Sequence, residues 1–331
     1  MALPPNWQQW IAENLALGVP EATLVGVLLR EGFDSAQVRA AVASAAIDPQ
    51  RLLAARLSRR LQKLAWVLDV QERCRALRPW PIERARRPSR QEFLERWYSQ
   101  NHPVILTGVI DDWPALRSWT PGYLRRMLGH HLVEIQADRA RDPDYERNSI
   151  AHKKMVPFAE LVDAAFGGAS NDRYMTANNA DKNAAFLRDA FAEVRMPAGY
   201  FTPEWSGRAF LWLGAAGTVT PLHHDLTNNA MAQVVGRKRV KLVSPLQSAL
   251  VYNSRHCFSE VDPEAVDAAR FPLFAKAQVQ EVLLEPGELL FLPVGWWHHV
   301  RALDPSITVS MTNFVFDNDY TAGYELLYGD L

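Results

Sequence analysis

The first half-hundred residues show a helical spacing of apolar positions. Trp7, Ile11 and Leu15 recur every four residues, and a second apolar group follows a Gly-Val-Pro break. Asp34 precedes a third apolar group, and a Gln three residues later completes the sequence signature of a capping box. The pattern predicts a small module of short helices over residues 1–48.

One long helix is predicted after this module. Its leucines recur every three or four residues and form a single stripe, which consists of Leu53, Leu57, Leu61, Leu64 and Leu68. Three prolines end the pattern, so residues 49–88 are expected to form a long helix followed by a linker. We expect the stripe to pack onto the remainder of the chain as part of its core.

The pattern changes near residue 100, where short apolar segments with turn signals between them begin. The segments expected to form strands are 104–106, 133–136, 173–176, 209–213, 231–235, 239–243, 282–284, 289–292 and 307–315. Many short strands separated by turns are typical of an antiparallel jelly roll. The sequence therefore predicts a mainly β fold for residues 89–331, a double-stranded β-helix with a helical N-terminal extension.

Basic and acidic residues are nearly equal in number over the whole chain, but one segment is strongly basic. The chain has 36 basic and 37 acidic residues, a balance that does not favour nucleic acid as a partner. Residues 51–90, however, contain twelve Lys or Arg against three Asp or Glu. This segment could bind an acidic partner or form a solvated helix face with a linker. No nucleic-acid-binding motif accompanies the charge, so the solvated face is the favoured hypothesis.

Cysteine content and hydropathy bear on the compartment. The two cysteines, Cys74 and Cys257, are far apart and have no metal-ligand spacing, so we expect free thiols. No run approaches the ~20 apolar residues of a membrane-spanning helix, and no secretory leader pattern is present at the start. These features predict a cytoplasmic protein that does not bind membranes.

Two short motifs carry candidate metal chemistry. In Thr-Pro-Leu-His-His-Asp, a strand would place His223 and Asp225 on one face and His224 on the other. A second His-His pair, His298 and His299, follows in Gly-Trp-Trp-His-His-Val. Two histidines and one carboxylate on one side of iron(II) leave three positions open for a bidentate oxo-acid and O2. A single His-x-Asp motif is weak evidence for a metal site, because many proteins contain one by chance.

The surroundings of these motifs resemble a known family. The stretches NHPVILTGVIDDWPALRSWTPGYL, LGAAGTVTPLHHDLTNNAMAQVVGRKRVKLVSP and EPGELLFLPVGWWHHV are similar to ordered blocks of the jumonji-C, or cupin-like, oxygenases. The similarity runs from about residue 90 to 320. Within the family, the chain resembles hydroxylases of the factor-inhibiting-HIF and jumonji-C-domain protein-five types. The resemblance implies a dioxygenase that uses iron(II), 2-oxoglutarate and O2.

The resemblance also implies roles for individual residues. Iron would be held by His223, Asp225 and His298, the last chosen over His299 by the family spacing. Lys238 and Thr220 would bind the distal carboxylate of 2-oxoglutarate. The remaining residues predicted at the cofactor end are Asn229, Asn313 and, by a looser match, Tyr174.

One departure limits the inference about substrate. The asparaginyl hydroxylases of the family carry Trp two positions after the residue matching Asn313, and this chain has Val315 there. The wall on the substrate side therefore differs, and the target residue should not be transferred from the family.

The expected reaction is hydroxylation of an unactivated C–H bond, coupled to conversion of 2-oxoglutarate to succinate and CO2. The resemblance favours a protein or peptide side chain as substrate and makes lysine demethylation the weaker hypothesis. Two alternatives stay open, a small-molecule (natural-product) hydroxylase and a non-catalytic metal-binding cupin module. Residues 1–48 are expected to recruit a macromolecular partner or to pair two copies of the chain in a homodimer.

Overall fold

The computed structural model describes residues 3–16, 18–77, 80–321 and 324. The chain divides into two compact units, Met1–Arg78 and Pro79–Leu331. The division of residues 1–88 into a helical module and a separate helix with linker stays a prediction. In the described part of the chain, no helix is long and apolar enough to cross a membrane.

All regular secondary structure in the described residues of the first unit is helical. Its helices are α1 (Pro5–Ala16), α2 (Glu21–Arg30), α3 (Ser35–Ile47) and α4 (Pro49–Ala76). As the sequence pattern indicates, α3 begins after a capping residue, because the Asp34 carboxylate accepts a hydrogen bond from the Gln37 backbone N–H at 2.9 Å. A small core holds α1, α2 and α3 together, and its most buried members include Ile11, Leu24, Leu28, Val38 and Val42.

The long helix α4 contributes no described residue to the small core of the first unit. None of its described residues is buried, and Leu53, Leu57, Leu61 and Leu64 are between 51% and 66% exposed. The stripe therefore lies outside the small core of the first unit, and its packing onto the remainder of the chain stays a prediction. Leucines at helical spacing predict a face that needs a partner, but the spacing does not identify the partner.

Over its described residues, the second unit contains five short α-helices and fifteen strands. The helices are α5 (Arg90–Phe93), α6 (Ala115–Ser118), α7 (Pro121–Leu128), α8 (Phe158–Phe166) and α9 (Ala184–Ala190), and α5 continues into a π-helical turn, Leu94–Tyr98. The first strands are β1 (Arg84–Arg86), β2 (Val104–Thr107), β3 (Leu132–Gln136), β4 (Lys153–Pro157), β5 (Tyr174–Met175), β6 (Ala209–Gly214), β7 (Val219–His224) and β8 (Asn229–Val235). The remaining strands are β9 (Lys238–Val243), β10 (Asn253–Arg255), β11 (Phe258–Ser259), β12 (Gln280–Leu284), β13 (Glu288–Leu292), β14 (Trp297–Ala302) and β15 (Ser306–Met311).

These strands form two sheets. The larger has nine strands in the order β1-β2-β13-β8-β15-β6-β5-β3-β4, and the smaller has six in the order β10-β11-β7-β14-β9-β12. All pairings are antiparallel except that of β1 with β2. Two antiparallel sheets with non-sequential neighbours form a jelly roll, so the predicted fold class is confirmed.

Apolar side chains from both sheets fill part of the space between them. This cluster includes Leu290 and Leu292 of the larger sheet and Val240, Leu242 and Val300 of the smaller sheet. The main core lies elsewhere, where the larger sheet packs against the helices of the unit, and contains Phe93, Trp97 and Trp113 among others. The part of the inter-sheet space that these clusters leave open holds the candidate site.

The turn between β8 and β9 requires glycine, and it positions the first residue of β9. Gly236 has φ +69°, and a Cβ added there would lie 2.2 Å from the backbone oxygen of Pro305. We expect Gly236→Ala to lower the free energy of unfolding by roughly 2–5 kcal/mol, because backbone strain and steric overlap add. Chemical denaturation monitored by circular dichroism measures this loss.

Gly287 provides the matched control. It also has a positive φ, +89°, but a Cβ there meets no atom within 4 Å. Gly287→Ala should therefore cost only the backbone strain, about 1–2 kcal/mol. Equal losses in the two variants would show that the Pro305 contact does not constrain the turn.

Candidate metal centre

Two neighbouring strands of the smaller sheet carry the histidines of the predicted triad. β7 and β14 run antiparallel, and His223 lies directly opposite His298. Residues opposite each other in such a pair point to the same face of the sheet. The two imidazole rings are therefore neighbours, with centroids 4.1 Å apart, and Asp225 follows immediately after β7.

These three side chains are the one group of His, Cys, Asp or Glu among the described residues that could hold a metal ion, and their ligand atoms lie within 4.8 Å of one another. Asp225 Oδ1 is 3.8 Å from His223 Nε2, and Asp225 Oδ2 is 3.9 Å from His298 Nε2. These distances are too long for hydrogen bonds. Two atoms that each lie about 2.0–2.2 Å from one ion can be up to about 4.4 Å apart. The spacing therefore fits a shared metal ion.

Both imidazoles are oriented by backbone carbonyls. Nδ1 of His223 lies 2.8 Å from the Pro221 oxygen, and Nδ1 of His298 lies 2.9 Å from the Trp296 oxygen. A carbonyl oxygen only accepts, so each Nδ1 must carry the ring hydrogen and donate it. The lone pair then resides on Nε2, the atom that faces Asp225. Metal-binding histidines usually have a hydrogen bond of this kind on the other ring nitrogen.

The protonation states also suit metal binding. Burial, together with the neighbouring His298, lowers the pKa of His223 to about 4. Burial alone would raise the pKa of Asp225, but His298, His223 and the Asn229 amide outweigh it and hold that pKa below its usual value. At neutral pH His223 is therefore a neutral imidazole and Asp225 a carboxylate, the forms in which these residues bind metals. The donor set is the one found in non-haem iron(II) oxygenases.

The adjacent histidines point elsewhere. His299 is buried and lines a separate cavity of about 480 Å³, together with Tyr145, Leu222 and Phe258. Nδ1 of His224 lies 3.2 Å from the Asp225 backbone oxygen, and its ring packs edge-on against Trp297. The structure thus separates His298 from His299, as strand alternation predicts.

The cavity that contains the triad is also lined by a buried lysine, Lys238. The cavity has a volume of about 520 Å³, and its lining includes Tyr174, Thr220, Asn229 and Lys238 as well as the triad. Lys238 is only 1% exposed, and its Nζ donates a hydrogen bond to the Tyr174 hydroxyl at 3.2 Å. Burial lowers the pKa of Lys238 to about 7.

Lys238 forms no ion pair within the part of the chain that the structure describes. A buried ammonium without a counter-charge is costly, so this environment suits an anionic ligand. The Thr220 hydroxyl interacts with Tyr174 in the same place. Lys238, Tyr174 and Thr220 could therefore bind the distal carboxylate of a 2-oxo-diacid whose other end lies at the triad.

Asn229 lies beside the metal triad and lines the same cavity. Its Nδ2 donates to Asp225 Oδ2 at 2.9 Å, which leaves Oδ1 of the carboxylate to face His223. The Asn229 Oδ1 atom is buried and has no hydrogen-bond partner in the structure. Asn229 therefore orients the Asp225 carboxylate. It also presents its own Oδ1 to the cavity as an additional hydrogen-bond acceptor.

Asn313 does not reach this cavity. Its Nδ2 donates instead to the backbone carbonyls of Thr202 and Glu204 at 2.7 and 3.1 Å. Ser310 and Thr312 line the cavity, and Asn313, one position beyond Thr312, points the other way. The predicted role of Asn313 in lining the cofactor pocket is corrected accordingly.

The sequence analysis did not identify a buried arginine, Arg139, that lies next to Tyr174, the hydrogen-bond partner of Lys238. The Arg139 side chain is fully buried, and its Nη2 donates to the Val219 oxygen at 2.8 Å and lies 3.4 Å from Glu146 Oε2. Its guanidinium carbon is 5.0 Å from the Tyr174 ring centroid. Arg139 thereby supports both β7 and Tyr174. Its surroundings in the sequence, Arg-Ala-Arg-Asp-Pro-Asp-Tyr-Glu, have the composition of a solvated loop and gave no signal of burial.

Sequence reasoning also missed an aromatic wall. Trp212 lines the cavity from β6, and its Nε1 donates to Ser310 Oγ of the neighbouring β15 at 2.8 Å. Phe210, two residues earlier, lines the same cavity. The period-two alternation of β6 contains this signal, because Phe210 and Trp212 must share a face.

Comparison with known proteins adds independent information. Residues 89–322 match the family described as "Cupin-like domain". The chain is 32% identical over 235 residues to lysine-specific demethylase 8 of Xenopus tropicalis, covering 67% of this chain and 50% of that protein. It is 29% identical over 238 residues to Jumonji C domain-containing protein 5 of Drosophila melanogaster, covering 67% and 57% respectively.

A third relative carries a different name. The human tRNA wybutosine-synthesizing protein 5 is 29% identical over 245 residues, covering 70% of this chain and 77% of that protein. For the two relatives above, the matched region spans only about half of their length. The family match, residues 89–322, covers most of the strands of the two sheets.

Proposed function

This chain belongs to the cupin-like domain family, in its jumonji-C group of 2-oxoglutarate oxygenases, and from that premise we propose that it hydroxylates an unactivated C–H bond on a protein or peptide side chain. The observation that carries the proposal is the cavity of about 520 Å³ that joins the metal triad to the buried Lys238. Members of the family use iron(II), 2-oxoglutarate and O2. Together these supply the oxidising chemistry, in which 2-oxoglutarate becomes succinate and CO2.

The side chains of this protein would perform the binding and orientation. His223, Asp225 and His298 would hold the metal ion, while Lys238, Tyr174 and Thr220 would bind the distal carboxylate of the cosubstrate. These two groups of residues fix both ends of the cosubstrate. The buried part of the cavity wall, which includes Lys238, Tyr174 and His298, would limit the access of water and so limit unproductive side reactions.

The shape of the site supports a polypeptide substrate. The cavity of about 480 Å³ beside His299 shares Glu146, Arg147 and Phe258 with the cavity of the metal centre. These three residues therefore border both cavities. The cavity at the metal centre would take the cosubstrate and a target side chain, and the neighbouring cavity would take residues that flank that side chain in an extended peptide.

The experiment that tests the proposal has two arms. The purified protein with iron(II), 2-oxoglutarate and O2 should form succinate, and the same mixture without O2 should not. A protein that forms no succinate in either case would instead be a non-catalytic metal-binding cupin.

Mass spectrometry of host lysate treated with the active protein identifies the substrate class. A gain of one oxygen atom on a peptide is the expected result, with lysate lacking added 2-oxoglutarate as the control. A gain of oxygen confined to small molecules would support the natural-product alternative. Loss of a methyl group from lysine with release of formaldehyde would support the activity in the name of the Xenopus relative.

A further inference from the structure

The guanidinium of Arg139 lies behind the wall that would bind the cosubstrate, and the proposed reaction gives it no role. Its side chain is fully buried and sits between two aromatic rings. The guanidinium carbon is 4.1 Å from the Tyr145 ring centroid and 5.0 Å from the Tyr174 ring centroid. Arg139 lines neither of the two cavities, so it would not touch a bound cosubstrate.

The charge of Arg139 is only partly compensated. Nη2 donates to the Val219 backbone oxygen at 2.8 Å and lies 3.4 Å from Glu146 Oε2, a long contact for an ion pair. Nε and Nη1 are buried and have no hydrogen-bond partner among the residues that the structure describes. Buried donors without partners are costly, and apolar side chains of similar volume often replace a buried ion pair without loss of stability. Packing alone therefore does not explain why a positive charge is placed here.

The hydroxyl of Tyr174 is where this charge can act. Burial raises the pKa of Tyr174, and Arg139 is the strongest of the groups that lower it again. The Tyr174 oxygen accepts a hydrogen bond from Lys238 Nζ at 3.2 Å, so the phenolic hydrogen remains available for donation. A cation beside the ring makes the phenol more acidic and hence a stronger hydrogen-bond donor to an anion.

We propose that Arg139 is a positioning residue for the distal carboxylate of 2-oxoglutarate, and that it acts through Tyr174, whose hydroxyl it makes a stronger donor. The inference rests on the proposed function, because it requires Lys238 and Tyr174 to bind that carboxylate. Lys238 then provides a charge in direct contact with the cosubstrate. Arg139 provides a second charge from behind the aromatic ring.

The first test measures the dissociation constant of 2-oxoglutarate for the intact chain loaded with Mn(II), by isothermal titration calorimetry. Arg139→Gln removes the charge but keeps an N–H group that can donate to the Val219 oxygen. We expect it to weaken 2-oxoglutarate binding by roughly fivefold or more, because a charge interaction inside a buried site is lost. Arg139→Lys keeps the charge and should bind within about threefold of the unchanged chain.

Circular dichroism checks that both variants fold. Glu146 loses its counter-charge in Arg139→Gln but still has the side-chain amides of Gln136 and Asn178 at 3.5 and 3.4 Å. If Arg139→Gln does not fold, Arg139→Met is the second neutral variant, and the same weakening is expected from it.

Oxalate separates positioning from a general loss of structure. It binds a metal ion through two oxygens, as the 2-oxo acid end of the cosubstrate does, but it has no distal carboxylate. Arg139→Gln should therefore change the dissociation constant of oxalate less than about twofold. A purely structural role of Arg139 would weaken both ligands alike, or would lower the fraction of protein that binds either of them.

A double-mutant cycle tests the route through Tyr174. In a Tyr174→Phe background, Arg139→Gln should weaken 2-oxoglutarate binding less than about twofold further, because the hydroxyl that it acts on is absent. Equal losses with and without the hydroxyl would exclude that route.

Three other results would overturn the inference. These are an unchanged 2-oxoglutarate constant in Arg139→Gln, an equal loss of oxalate binding, and an Arg139→Lys variant as weak as Arg139→Gln. If the unchanged chain does not bind 2-oxoglutarate at all, the proposed function itself fails, so the two failures are distinguishable.

Discussion

His298→Ala is expected to lose iron(II) binding and 2-oxoglutarate turnover, whereas His299→Ala is expected to retain both. The two residues are neighbours in β14, but only His298 lies opposite His223 and beside Asp225. Loss of an outer-sphere partner of a metal ligand already costs about 10- to 100-fold in affinity. Removal of a direct ligand should therefore weaken iron(II) binding by more than about a hundredfold. Metal content after gel filtration and succinate formation measure the two effects.

His299→Ala serves as a demanding control, since His299 is as buried as His298. Its removal creates a small cavity and can lower the melting temperature without affecting the metal. Asp225→Ala and His223→Ala should reproduce the His298→Ala result. Retention of iron by His298→Ala together with its loss in His299→Ala would mean that the register of β14 is wrong.

Lys238→Ala is expected to raise the apparent constant for 2-oxoglutarate by about 10- to 100-fold while leaving iron(II) affinity nearly unchanged. A charge-assisted hydrogen bond to a carboxylate is worth roughly 1.5–3 kcal/mol, which corresponds to that range. Lys238 Nζ contacts Tyr174 and not the triad, so the effect should be confined to the cosubstrate. Titration of 2-oxoglutarate in the succinate assay provides the measurement.

The pH dependence gives a second readout of the same residue. Burial lowers the pKa of Lys238 to about 7 without the cosubstrate, and a bound carboxylate favours the charged form. As pH rises above 7, a growing fraction of the empty sites has neutral lysine, so 2-oxoglutarate should bind more weakly. Lys238→Ala should lack this dependence. If the apparent constant for 2-oxoglutarate is unchanged in Lys238→Ala, another cation must bind the cosubstrate. Arg237 and Arg239 are poor candidates, because they are already paired with Asp304 and Glu264, respectively.

Local periodicity located many of the strands but not their limits. The predicted strand 307–315 ends as β15 at Met311, although the apolar residues Phe314 and Val315 follow two positions later. Phe314 is buried in the main core without continuing the sheet. β4, Lys153–Pro157, was not predicted because four of its five residues are exposed, and an edge strand with exposed lysines has the composition of a loop.

The sequence alone determined which side chains share a face within one element. Period-two alternation separates His223 from His224, and helical spacing aligns the leucines of α4. Two features of the candidate site could not be predicted from residue spacing, because they depend on burial in the folded chain. Arg139 is buried although its neighbours in the sequence are polar, and Lys238 is a buried cation with no acidic partner in the described chain.

Only the tertiary structure decided what lies opposite each of these faces. The pairing of β7 with β14 brings His223 and His298 together across 75 residues of sequence, and the end of β15 turns Asn313 away from the cavity. The direction of a side chain is set by the backbone period over a few residues. Its burial and its partners depend on contacts between segments that are distant in the sequence, and short-range patterns contain no information about those distances.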